Sequence, residues 1–227
     1  MKLAIQICSE LEWGTTKSIL KITKDKLHRQ PFGDYFEKQI GIHKCILYES
    51  GATKTMAAAA CQFAIDTWHP DAVINLGTCG GVSKNVKNLD IILAKRTFQY
   101  DVIQRFGKPS LRFKRDLKTN IDMSWIDLRK VSRRIHFGTI ASADQDLDDK
   151  EREVLQGKKV LAADWESASI AKICELNKVK CLILRGITDI TKKQVSLKRD
   201  IQDNDYKKNT PIIMRELFSI IGQIEFR

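Results

Sequence analysis

Five carboxylates stand where short apolar runs give out. Glu10 and Glu12 follow "KLAIQIC", Asp164 and Glu166 follow "KVLAA", and Asp189 follows "CLILRGIT". Carboxylates can do acid–base work, one donating to a leaving group while another activates water. Open α/β sheets gather ligand-binding groups at the carboxyl ends of their strands. Each of these acids also has a plain structural use. Glu10 and Glu12 would begin a helix, where acids suit the dipole. Asp164 would cap the helix of Glu166, and Asp189 would cap or turn the chain before a lysine-rich stretch. Three acidic sites at strand ends make convergence on one pocket worth testing.

A second stretch, "DAVINLGTCGGVSKNVKNLD", ends an apolar run in "GTCGG". Glycines there allow close backbone approach to a ligand. Neither the P-loop lysine nor GxGxxG spacing is present, so neither nucleotide motif is supported. In "SGATKTMAAAACQF" a glycine turn precedes an alanine-rich helix. Its N-terminus suits an anion or an oxygen-rich ligand, although spacing alone favours a simple strand-to-helix turn.

The elements that must position these residues are legible as strand-length apolar runs: "KLAIQIC", "CILYES", "AVINLG", "IILAK", "GTIASA", "KVLAAD" and "KCLILRGI". Helical patterns fall at Glu10 to Ile22, Lys54 to Trp68, Glu166 to Leu176 and Pro211 to Ile224. Alternating strands and helices, with strands apolar on both faces, predict an α/β sheet covered on both sides. No repeat or long linker divides the chain, so residues 1–227 are expected to form one domain. The basic region 106–134 is the least regular, a candidate insertion or lid.

The 227 residues are 43% apolar and 30% charged, and no run of 18 apolar residues occurs, so no transmembrane helix is expected. The amino terminus meets acids by Glu10, unlike a secretory leader, and six cysteines show no CxxC pairing. A cytoplasmic protein with free thiols and no structural metal is expected. The net charge is +11, yet aromatics are only 7% and do not interleave with the basic runs. A nucleic acid partner is therefore not expected.

These motifs, in this order, resemble the purine nucleoside phosphorylase-like superfamily, and within it the 5′-methylthioadenosine/S-adenosylhomocysteine nucleosidases. "MKLAIQICSELEW" is similar to the family's opening strand and acidic helix start. "ESGATKTMAAAA", "HPDAVINLGTCGG", "NLDIILA", "QYDV", "IASAD", "ADWESASIAKIC" and "RGITDI" resemble its later motifs in turn. The resemblance implies a single α/β domain with a central mixed sheet flanked by helices, a homodimer and no cofactor. It implies that Asp189 is the general acid on the purine, that Glu12 activates water, and that Glu166 binds the ribose hydroxyls. It places Thr78, Cys79 and Gly80 in the pocket wall, with Arg185 and Thr188 beside the acid. Asp146 matches the position of an aromatic that stacks on the base, and Trp165 that of a methionine under the ribose.

The resemblance implies cleavage of the N-glycosidic bond of a purine nucleoside. Asn75 stands where the hexameric phosphorylases carry an arginine, and "CSELEWGTTK" puts acids where phosphate would be repelled. Both favour water over phosphate. A phosphorylase and a non-catalytic nucleoside- or nucleic-acid-binding relative stay as alternatives. The latter would have no need of a proton donor and a water-activating base together.

Overall fold

The computed structural model describes the backbone of residues 1–190 and 199–227, and side chains outside 191–203. In chain order the elements are β1 (Lys2–Ile7), α1 (Glu10–Ile19), β2 (His28–Gln30), β3 (Gly33–Ile40), β4 (His43–Glu49), α2 (Lys54–Trp68), β5 (Ala72–Gly81) and β6 (Ile91–Gln99). There follow α3 (Leu111–Asp116), β7 (Lys118–Asn120), β8 (Ile126–Asp127), β9 (Ile135–Ser142), α4 (Asp149–Gly157), β10 (Val160–Asp164), α5 (Ser167–Asn177), β11 (Lys180–Ile190), α6 (Arg199–Gln223) and β12 (Glu225–Phe226).

The main sheet runs β10-β9-β6-β11-β5-β1-β4-β3-β2. It is mixed: β5 is parallel to β1 and β11, whereas β6 is antiparallel to β11. The end of β5 also pairs with β10, through Gly80↔Ala163 and Gly81↔Ala162. That extra pairing closes β5, β11, β6, β9 and β10 into a ring. The ends of β5, β9, β10 and β11 meet at its mouth, where the acidic sites lie.

Strand alternation divides the core in two. Leu3, Ile5, Ile74, Leu76, Leu182 and Leu184 pack with Trp13 of α1 and with Ile213, Met214, Leu217 and Ile221 of α6. Ala4, Val73 and Ile183 face the other way, against Ala60, Cys61 and Ala64 of α2 and Ile170, Ala171 and Cys174 of α5. Apolar residues on both strand faces thus have helices to cover them, as expected. The small alanines of α2 let that helix sit close to the sheet.

Several boundaries differ from the sequence expectation. The last helix begins at Arg199 and runs through Pro211, rather than starting there. A proline stops a helix only where its missing N–H and its ring cannot be accommodated. The hairpin β2–β3 and helix α4 carry too few apolar residues to stand out. Region 106–134 is partly tied down, with β7 on β6 and β8 on β12. Among the described residues no helix is long and apolar enough to cross a membrane.

Candidate active site

Glu12 lies in the first turn of α1. Its backbone N–H donates to Ser9 Oγ at 3.2 Å, and Ser9 N–H donates back to Glu12 Oε2 at 3.3 Å. The cap fixes the helix start and carries the carboxylate onto the end of β5. There the N–H and hydroxyl of Thr78 donate to Oε1 at 2.6 and 2.7 Å. Glu12 is 2% exposed. It is both the first-turn acid expected of a helix and a buried, oriented carboxylate. Glu10, two residues earlier, is exposed.

Arg185, 1% exposed, extends from β11 into this cluster. Its Nε lies 3.0 Å from Asp164 Oδ2 and donates to Ser167 Oγ at 3.1 Å; Nη2 donates to Glu166 Oε2 at 3.1 Å. Burial pulls the guanidinium down, but Asp164 and Glu166 outweigh it and hold it above its ordinary value. Asp164 also accepts from Ser142 Oγ at 2.6 Å, from the N–H of Ser167 at 3.2 Å, and from the Ser167 hydroxyl. It therefore bonds the start of α5 and grips the arginine, although the N-cap position expected for Asp164 falls to Glu166, whose side chain makes no cap bond. Burial pushes the Glu166 carboxyl up to about 8. Arg185 opposes that shift, while Asp164 and Glu12 add to it. At neutral pH Glu166 is mostly protonated, able to donate one hydrogen bond and accept another.

Asp189 lies at the end of β11, opposite Gly80 in the register. Its Oδ2 comes within 3.9 Å of where a Cβ on Gly80 would stand, so the glycine leaves ordinary clearance beside the acid. Burial raises the Asp189 carboxyl, and the charge of Asp205 adds to the rise. The Thr188 hydroxyl donates to Oδ1 at 2.7 Å and, with the charge of Arg152, works the other way. Asn209 of α6 fixes the backbone here, donating to Thr188 O at 2.6 Å.

Two of the glycines of "GTCGG" make room for the protein's own side chains. A Cβ at Gly77 would fall 2.2 Å from Arg185 Nη1 and 2.8 Å from Glu12 Oε1. At Gly81 it would press on Ile190 and Ile187 at 3.1 and 3.3 Å. Gly80 alone of the three has open clearance toward the acid. The α2 N-terminus is likewise occupied by the protein: Asp144 Oδ1 accepts from Lys54 N–H at 2.7 Å. The simple strand-to-helix turn holds there.

The structure brings together Glu12, Thr78, Cys79, Gly80, Glu166, Arg185, Thr188 and Asp189. Cys79 O accepts from Thr188 Oγ1 at 3.4 Å, which joins the two strand ends. Asp146 stands outside the cluster, exposed on the loop after β9, and Trp165 is 36% exposed. Sequence reasoning missed Ser142, Ser167 and Tyr206. The Tyr206 hydroxyl, on α6, shares a 2.9 Å hydrogen bond with Ser9 Oγ. Serines and a lone helical tyrosine carry no spacing that would single them out.

A closed strand ring thus carries an acid on one strand end and a buried carboxylate–arginine cluster beside it. The sequence profile of the phosphorylase superfamily matches residues 9–221. The 5′-methylthioadenosine/S-adenosylhomocysteine nucleosidase of Actinobacillus succinogenes is 32% identical over 166 residues, 68% of this chain and 71% of that protein. The nucleosidase of the same name from Bacillus velezensis is 28% identical over 219 residues, 88% and 90% of the two chains. The chain belongs to the phosphorylase superfamily and, within it, to the 5′-methylthioadenosine/S-adenosylhomocysteine nucleosidase family. Solved nucleosidases share the fold. The Helicobacter pylori enzyme with butyl-thio-DADMe-Immucillin-A matches at TM-score 0.81, with 20% identity and 97% of each chain covered. The S. pneumoniae enzyme with the transition-state inhibitor MT-ImmA matches at TM-score 0.78, with 22% identity over 98% of this chain and 99% of that one.

Proposed function

We propose that this chain hydrolyses the N-glycosidic bond of a purine nucleoside such as 5′-methylthioadenosine or S-adenosylhomocysteine. The observation that carries the reading is the pairing of a raised acid, Asp189, with an oriented carboxylate, Glu12, on neighbouring strand ends. Their contacts on β5, Gly80 and Thr78, are two residues apart, about 7 Å along a strand.

In this reading the Asp189 proton passes to N7 of the purine, so the base leaves neutral. The glycosidic C–N bond breaks and the sugar becomes oxocarbenium-like. Glu12 takes a proton from water as its oxygen bonds to C1, giving free sugar and free base. Protonated Glu166 spans the ribose hydroxyls, and positioning of this kind lowers the barrier. Arg185 holds Glu166 rather than the substrate. Water is preferred to phosphate because the Glu12 carboxylate lies on the attacking side and the cation of the cluster, Arg185, is already paired with Asp164 and Glu166. Asn75 supplies no charge, its Nδ2 donating to Gln6 O at 3.1 Å. The six free, buried cysteines suit a reducing cytoplasm.

The test is free-base release from methylthioadenosine, adenosylhomocysteine, adenosine and inosine, with and without phosphate. Phosphate-independent release is expected, with Asp189→Asn lowering kcat by at least ~100-fold. Release only in the presence of phosphate would move the chain to the phosphorylases.

A further inference from the structure

Helix α6 packs on α1 and on β11 at once, and these two elements carry Glu12 and Asp189. The approach to β11 is close: a Cβ at Gly186 would fall 2.3 Å from Ile213 Cγ2 and 2.9 Å from its Cγ1. Toward its amino end, α6 reaches each element through a polar side chain. Tyr206 shares its 2.9 Å hydrogen bond with Ser9 Oγ, the N-cap atom that also accepts from Glu12 N–H at 3.2 Å. Asn209 Nδ2 donates to Thr188 O at 2.6 Å, and the Thr188 hydroxyl in turn donates to Asp189. Tyr206 and Asn209 are three residues apart, so they share one face of the helix. Thr210 Oγ1 donates to Tyr206 O at 2.7 Å. That bond braces the turn just before Pro211, which has no N–H to give. Burial pushes the Tyr206 hydroxyl up to about 12, and the charges of Glu12 and Glu166 add to the rise. The hydroxyl therefore stays protonated beside the carboxylate cluster.

We propose that α6 is a clamp that holds Glu12 and Asp189 at a fixed separation, with Tyr206 and Asn209 as its two positioning residues. Its part in catalysis rests on the nucleosidase reading. There the two carboxyls act on opposite sides of one breaking bond, Asp189 on the base and Glu12 on the water, so the rate depends on the distance between them. In the sheet, β5 lies between β1 and β11, and α6 spans it to touch the elements on both sides. Both side chains direct these bonds to protein atoms, so they act through Ser9 and Thr188 rather than on substrate. Tyr206 is the more telling of the two. Ser9 also donates its backbone N–H to Glu12 Oε2 at 3.3 Å, so a shift of Ser9 moves the carboxylate.

The experiment is amide hydrogen exchange by NMR, alongside steady-state base release, on wild type, Tyr206→Phe, Ser9→Ala and the double variant. Tyr206→Phe removes the hydroxyl and keeps the ring. Exchange at the Glu12 N–H should quicken ~5-fold, the worth of one ordinary hydrogen bond. Amides of α2, which packs on the other face of the sheet, should keep their rates. In parallel kcat should fall at least ~10-fold with KM within ~2-fold, because misplacing a reacting group costs rate rather than binding. Ser9→Ala has already cut the link, so adding Tyr206→Phe to it should change exchange and kcat by less than ~2-fold. A tyrosine that merely packed α6 would cost the same in both backgrounds, and that result overturns the clamp. Unchanged Glu12 exchange in Tyr206→Phe overturns it too, as does a raised KM at constant kcat, which would put Tyr206 on the substrate. Asn209→Ala should lower kcat likewise; if it does not fold, Tyr206→Phe still decides. Wild-type kcat beside faster exchange removes the clamp from catalysis. If the wild type releases base from no nucleoside, hydrolysis fails and the exchange rates decide the clamp by themselves.

Discussion

Glu166 makes its charge state a measurable property of the fold. A free glutamate titrates near 4.3, and burial lifts this one to about 8. Between those values the folded state holds a proton that the unfolded state has released. Stability therefore falls as pH rises from about 4.5 to 8, with this group contributing a slope of at most about 1.4 kcal/mol per pH unit. Glu166→Gln should flatten that part of the profile, measured by denaturant unfolding at pH 5, 6, 7 and 8. An identical slope in wild type and variant would place the proton elsewhere. The raised carboxyl of Asp189 carries a matching kinetic expectation: activity declines as pH rises through its raised value, because the deprotonated form has no proton to give.

At the scale of elements, two backbone positions carry expectations, one in the site and one outside it. Gly77 of β5 leaves space for the Arg185 guanidinium and the Glu12 carboxylate. Gly77→Ala forces one of them aside, and overpacking of this kind costs about 1–3 kcal/mol. The expected outcome is a lowered Tm together with a kcat loss, since the displaced groups are the site itself. Wild-type kcat in Gly77→Ala would show that neither group had moved. Thr53, before α2, stands at φ 85° and ψ 150°, a region few side chains adopt. Its hydroxyl accepts from Met56 N–H at 3.4 Å, a long cap. Thr53→Gly removes the strain and should raise stability by about 1 kcal/mol, after the entropy cost of glycine. Thermal unfolding reads the sign.

At the scale of the molecule, several exposed apolar residues follow one another between β6 and α3. Val102, Ile103 and Phe106 are 38%, 70% and 88% exposed. They adjoin a cleft of about 410 Å³ lined in part by Phe98, Tyr100, Val102, Ile103 and Phe113. Apolar residues gathered beside a cleft mark an interaction surface, and we propose that a second copy of the chain covers it. Ile103→Asp with Phe106→Asp should shift light scattering from twice the chain mass to the monomer. An unchanged mass would put the interface elsewhere or leave the chain single.

The sequence by itself determined the layers. Runs apolar on both faces require helices on both sides, and acids at the ends of such runs are placed at a sheet edge by the two-residue period. Glu12, Glu166 and Asp189 were legible for that reason, and their order along the chain carried the family. Only the tertiary structure decided which strand ends meet. The antiparallel pairing of β10 on the end of β5 has no local signature, yet it brings Asp164 and Glu166 onto Arg185. The same closure leaves Asp146 on the surface. Pairing between strands some 80 residues apart is set by the packing of the whole core, and buried charge takes its value from that packing rather than from neighbours in the chain.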